Sequence, residues 1–197
     1  LGMCCNDNLF FSIGCDGNGS VQGNVQAIND NCNQSYADGK WHFVVGTYDG
    51  VNIKIYVDGE FKNQHTLNGG AIWSANFPLQ IGFRPGNSSY FNGLMSHVHF
   101  CDGQSYDATA FGETDSTTGE WTIKTSPSVT YGTNGFFILK DGNSVTDQSG
   151  NSNNFTVGGG TLTNTEDNPS NVFATLNPLD NYYASSTFSQ GNNTLVT

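Results

Sequence analysis

The stretch Asp38–Glu60, DGKWHFVVGTYDGVNIKIYVDGE, is where hydrophobic period, turn chemistry and aromatic content agree. Trp41, Phe43, Val45 and Thr47 alternate with His42, Val44, Gly46 and Tyr48, and Ile53, Ile55 and Val57 alternate with Asn52, Lys54, Tyr56 and Asp58. A period of two is that of a β-strand. Asp49-Gly50 separates the runs, and Asp38-Gly39 and Asp58-Gly59 bracket them. Asp-Gly supplies the positive φ that tight hairpin turns need. The stretch therefore predicts two antiparallel strands with a turn at each end, and Trp41, Phe43, Val45, Ile53, Ile55 and Val57 are the expected inward-facing core.

Further strands are expected on both sides. Leu9–Gly14 is a short apolar run ending in glycine, and Ser20–Ile28 alternates weakly with one wet face. Phe61–Leu67 continues the hairpin, and Leu79, Ile81 and Phe83 share one face of the next strand. Tyr90–Cys101 carries apolar groups on both faces, which predicts a continuous strand in the middle of a sheet. Beyond it, Trp121–Ile123, Phe136–Leu139 and Phe155–Val157 are short strand candidates among turn formers, and Thr187–Ser189 with Thr194–Val196 suggests the first hairpin of a further domain.

Composition limits the partners. Lys and Arg number 6 against 17 Asp and Glu, for a net charge of −11, and only 12% of residues are charged. So few cations argue against nucleic acid as a partner, because binding a phosphate backbone relies on Lys and Arg displacing its counterions. There is no run of about 18 apolar residues to form a transmembrane helix. Leu1–Gly14 lacks the basic start and small-residue cleavage site of a signal peptide, and the chain reads as a piece of a longer protein. Cys4, Cys5, Cys15, Cys32 and Cys101 make an odd count without a CxxC pair, so buried free thiols are expected, with a Cys15–Cys32 disulfide left open.

Trp41, His42, Val44, Thr47, Tyr48, Asp49, Gly50, Ile55, Tyr56, Val57, Asp58 and Gly59 make the hairpin resemble that of laminin-G-like domains, within the concanavalin A-like lectin/glucanase group. The resemblance implies an all-β jelly-roll sandwich of two antiparallel sheets followed by a loop-rich β extension. The expected boundaries are a sandwich over 1–102, an extension over 103–180 packing on the sandwich or on a neighbouring subunit, and a further module or linker from 181 to 197. Such a fold hosts lectins, glycosidases, adhesion modules and virion parts, so it says little about activity.

Five blocks in fixed order are more specific: Phe100–Gln104, Phe111–Trp121, Tyr131–Phe137, Asp147–Thr156 and Ala174–Asp180. The series resembles tail-fibre-like and other virion-associated proteins of aquatic viruses, especially marine bacteriophages. That resemblance implies a non-enzymatic structural or adhesive protein located in the virion. Its partners would be copies of itself, other virion proteins and host-surface glycans. The alternative is a carbohydrate-binding lectin module of a non-viral extracellular protein.

No catalytic residues are expected. The glucanase branch places paired carboxylates on one strand face so that they flank the glycosidic bond. The nearest approach here, Glu113-Thr114-Asp115-Ser116-Thr117, has Thr117 where the second Glu belongs and lies in loop sequence. His97 and His99, with His42 or His65, are a weaker metal candidate than a structural set. Calcium is the cation that the resemblance implies, and the oxygen-rich loop residues Asp147, Asn151 and Asn153 are its candidate ligands, with Asp16 and Asn18 as a second group. Trp73, Tyr90 and Asn87 are the candidate glycan contacts, since aromatic faces stack on pyranose rings beside amide hydrogen bonders; the competing role for the aromatics is core or interface packing.

Overall fold

The computed structural model of the chain describes residues 2–3, 9–11, 28–29, 36–66, 79–84, 89–140, 144–164, 187–189 and 194–196. It is all-β, with antiparallel pairing throughout the paired strands described and a single 3-10 turn, Ala108–Ala110, among the described residues. Two compact units are formed, Leu1–Met95 with Gln104–Trp121, and Ser96–Gly103 with Thr122–Thr197.

In the first unit, β1 (Gly2–Met3), β2 (Leu9–Phe11) and β3 (Ile28–Asn29) make one sheet, and β4 (Val44–Tyr48), β5 (Asn52–Val57) and β6 (Glu60–Thr66) make another. Strands β2 and β3 lie against β5 and β6. The core is Tyr36, Ile53, Ile55 and Val57, with Val44 and Tyr48 packed on it. Ile53 and Ile55 are 0% exposed and Val57 is 1% exposed. Burial of this kind stabilises by about 2 kcal/mol per side chain.

The inward face of β5 is as expected, but that of β4 is not. Val44 pairs with Val57, Gly46 with Ile55 and Tyr48 with Ile53. Directly opposed residues project to the same side of a sheet, so Val44, Gly46 and Tyr48 share the core face, and Trp41, Phe43 and Val45 do not. The reason is the turn. Gly50 at φ +94° and Val51 are its two central residues, with glycine at the first central position as a II′ turn requires. A two-residue turn pairs odd positions on one strand with even positions on the other. Asp49 secures it by accepting from Val51 N (3.0 Å) and Asn52 N (2.7 Å). The N–H of Asn52, with the Lys54 ammonium, holds its carboxyl far below the usual range.

The opposite face of β4 has its own cover. Phe43 meets Phe111 and Trp121, at ring-centroid distances of 6.5 and 6.3 Å. Thr47 Oγ1 lies 2.7 Å from Ser105 Oγ. The β5–β6 turn, Asp58-Gly59, has φ of +50° and +82°, the two positive values of a I′ turn. Here Asp58 takes Phe43 N on Oδ1 (2.8 Å) and the His42 ring on Oδ2 (2.8 Å), while the other ring nitrogen of His42 reaches Asp38 (3.1 Å). Trp121, the first residue of β11 (Trp121–Ile123), lies between Gly59 and Gly112, the first residue of β10 (Gly112–Thr114). A Cβ on either glycine would overlap the indole.

The continuous strand expected over Tyr90–Cys101 is broken. β8 (Ser89–Tyr90) pairs with β7 (Phe83–Arg84), whereas β9 (Val98–Phe100) belongs to the second unit. Residues 91–97 lie outside any strand, and His97 takes a φ of +51°, which a strand cannot accommodate. In the second unit β9 pairs with β12 (Phe136–Ile138), and β13 (Thr187–Ser189) pairs with β14 (Thr194–Val196) as the sequence suggests. Phe136, Phe137 and Ile138 are all buried.

Gly59 combines left-handed backbone with close packing, so Gly59→Ala is expected to lower the urea-unfolding free energy by roughly 2–4 kcal/mol. Gly39, at φ +78° with nothing within 4 Å of an added Cβ, is the control, and Gly39→Ala should cost about 1 kcal/mol. Equal losses would show that Trp121 does not press on the Gly59 turn.

Candidate functional site

Two places in the described residues concentrate functional side chains. In the first unit, Tyr90 is 75% exposed although its ring rests on Phe83 at 4.8 Å between centroids. The register Phe83↔Tyr90 puts the two rings on one side of the β7–β8 pair, and Phe91 N bonds Gly82 O (2.9 Å) just beyond it. Leu79, Phe91 and Leu94, close in sequence to Phe83 or Tyr90, are also exposed. An aromatic face that is open to water and braced from behind can stack on the C–H face of a sugar. The other two residues expected beside Tyr90, Trp73 and Asn87, lie outside the described residues.

In the second unit, Asp147 is the hub of a polar knot. Its Oδ1 accepts from Phe137 N and Ser149 N, each at 2.9 Å, and its Oδ2 accepts from Ser149 Oγ at 2.8 Å and Asn153 N at 2.9 Å. Asp147 N in turn donates to Asn154 Oδ1 (2.9 Å). Burial works to raise its pKa, but the backbone donors outweigh it and leave the carboxyl below its ordinary value. Asn151 Nδ2 donates to Gly132 O and Gly135 O, and Asn153 Nδ2 donates to Thr133 O and Gly135 O. Asp102 completes the knot: Asn134 donates to its Oδ2 from both N (3.2 Å) and Nδ2 (2.8 Å), and Asp102 N donates to Tyr131 O (2.8 Å). Asp147, Asn151 and Asn153 are thus brought together, but as a cation cage the donor set does not fit. The carboxylate faces N–H and O–H groups, and the amides present nitrogen to the carbonyls.

The remaining candidates have identifiable partners. His99 stacks on Phe137 at 3.9 Å and its Nδ1 lies 2.9 Å from Tyr131 Oη, while His97 Nδ1 lies 2.7 Å from Ser96 Oγ. His42 sits between Asp38 and Asp58, and His65 is exposed on β6. Among the described residues no group of three or more His, Cys, Asp or Glu could hold a metal ion. Asp16 and Asn18 lie outside the described residues. Asp115 caps its own turn, with Oδ1 accepting from Thr117 N (2.7 Å) and Thr118 N (2.8 Å), while Glu113 is exposed. Cys101 is a free thiol, and burial pushes its pKa up to about 11.

A laminin-G-type family model, described as the concanavalin A-like lectin/glucanases superfamily, matches residues 5–109. The chain belongs to that superfamily. No curated protein matches the chain. No solved structure matches it either. Membership, with an all-β chain of small antiparallel sheets, makes the fold that of a concanavalin A-like sandwich. It supports a carbohydrate-binding or structural module and says nothing of a viral origin; the superfamily includes both lectins and glucanases. The superfamily match contains the Tyr90 platform and, of the polar knot, only Asp102, and it stops before Asp115 and Asp147.

Two features of this concanavalin A-like chain escape a reading by motif. The Asp38–His42–Asp58 bridge could be suspected only from the repeated Asp-Gly turns around a histidine. The seat of Trp121 on two glycines has no local sequence signal at all. The His99 environment has a measurable consequence. Burial, with neighbouring His97, pushes its pKa down to about 3, against about 6.5 in an unfolded chain. The unfolded state therefore binds the proton first, and stability is full above pH ~6.5 and falls as pH drops toward ~3. Native protein should lose a few kcal/mol over that window, and His99→Gln should show a flatter dependence; parallel pH curves would assign the acid sensitivity elsewhere.

Proposed function

We propose that this chain is a non-catalytic structural and adhesive module whose sandwich holds a surface glycan on the Tyr90 platform. The observation that carries this is a tyrosine 75% exposed yet braced by Phe83. A ring that served the core would be covered, and an unbraced one would pay rotamer entropy on binding. The charge of −11 with only 6 Lys and Arg favours neutral sugars over sulfated ones. Asp115, in the stretch that comes nearest to a glucanase carboxylate set, is committed to its turn.

The finer part of the proposal is that the module works in a virus particle, as a tail fibre, appendage or capsid-surface component, beside copies of itself or other virion proteins. It is supported by the five ordered blocks, three of which, Phe100–Gln104, Tyr131–Phe137 and Asp147–Thr156, meet in the polar knot. Residues spaced over more than fifty positions but joined in one hydrogen-bonded structure travel together as a unit. Immunogold labelling with an antibody to the chain should mark intact purified particles. Label confined to secreted cellular material would instead favour the lectin module of a non-viral extracellular protein.

For the glycan site, Tyr90→Ala should weaken retention on an array of neutral oligosaccharides by about tenfold, the scale of one lost stacking contact, with no change in melting temperature. Binding that survives the substitution would place the site elsewhere on the molecule.

A further inference from the structure

The polar knot of the second unit has the oxygen supply of a cation site without using it as one. Hard cations such as calcium gather six to eight oxygens at about 2.3–2.6 Å. The carbonyls of Gly132, Thr133 and Gly135 approach the ends of two asparagine side chains. Asn151 Nδ2 lies 2.5 Å from Gly132 O and 2.9 Å from Gly135 O, and Asn153 Nδ2 lies 3.0 Å from Thr133 O and 2.9 Å from Gly135 O. Turned the other way, each amide would set its oxygen against carbonyl oxygens, so the NH₂ end is the one that fits. Asp147 is equally committed, each of its oxygens already accepting two hydrogen bonds.

We infer that these two amides stand where a divalent cation would otherwise be needed, supplying fixed positive dipoles to the same oxygens. The loops that carry Tyr131–Gly135 and Asp147–Asn154 are then held without calcium, and an aspartate at 151 or 153 would make their arrangement calcium-dependent. Each amide gives two N–H donors, directed at two carbonyls in all, and loses neither to dilution or chelation. A carboxylate in the same place would repel those carbonyls and lack any donor, a defect that a bound cation repairs.

The test uses the full chain and a readout local to the knot: hydrogen exchange at the amides of Phe137, Ser149 and Asn153, in EGTA and in millimolar calcium. In the native protein the exchange rates should agree within about twofold, since an ion that bound and stabilised the segment would slow its opening in proportion to occupancy. Rates that rise tenfold or more in EGTA would overturn the inference. Asn153→Asp should exchange at least tenfold faster in EGTA and regain protection in calcium, while Asn153→Ala should be loosened without calcium rescue. Asn151→Asp serves if Asn153→Asp fails to fold. If neither aspartate variant responds to calcium, the oxygens do not form a cation's shell and the inference fails.

Discussion

The Asp58-Gly59 turn is the constraint on which the first unit depends. Its two positive φ values join β5 to β6 in the tight form that fits the sheet's twist. The same two residues do more than turn the chain. Asp58 ties the β5 end of the hairpin to the backbone of Phe43 and to His42, and Gly59 leaves room for Trp121. Because β5 is fixed in this way, Ile53, Ile55 and Val57 can only face the core, and Phe43 can only face Phe111 and Trp121. His42, between two carboxylates, is partly desolvated, but the carboxylates win and raise its pKa. The charged form of the ring therefore works for the fold, most fully below pH ~6.5, and that contribution fades as pH rises through the raised value.

The second unit solves a different problem. Among its described residues the buried hydrophobic side chains are Phe136, Phe137 and Ile138, with His99 and Tyr131 stacked beside Phe137. Loops rich in Gly, Asn and Ser carry many backbone groups that need partners. Asp147, Asn151 and Asn153 supply them, each side chain serving two or more backbone groups, and the Asp102 carboxylate accepts from the backbone N–H and the side-chain amide of Asn134. A network of this kind specifies one loop arrangement because any departure leaves several buried groups unpaired at once.

Much of the scaffold was legible in the residues. The β5 alternation, the Asp-Gly turns, the β6 continuation and the Thr187–Val196 hairpin are all local signals, and all are found. The face of β4 was misread: a two-residue turn sets odd residues against even ones, but a run apolar on both sides such as Trp41–Tyr48 hides which set faces the core. The break between Tyr90 and Val98 was not legible, because the alternation there carries no sign of the left-handed conformation of His97, whose N–H bonds Leu139 O more than forty residues on. At the sites, Tyr90 could be chosen by residue type alone, while its exposure and its brace are tertiary. Asp147, Asn151 and Asn153 could be grouped by their composition, but whether a loop oxygen meets a cation or an N–H is decided by carbonyls near position 133, far back in the chain.

The seat of Trp121 bears on what counts as one heritable piece. The superfamily match ends at residue 109, yet the ring that covers the Gly59 turn comes from residue 121. A sandwich passed between genes by recombination at the end of the match would arrive with that turn bare and with Phe43 lacking both Phe111 and Trp121. The smallest exchangeable unit therefore extends through Trp121, and residues 110–121 are part of the sandwich's inheritance although they lie beyond the match.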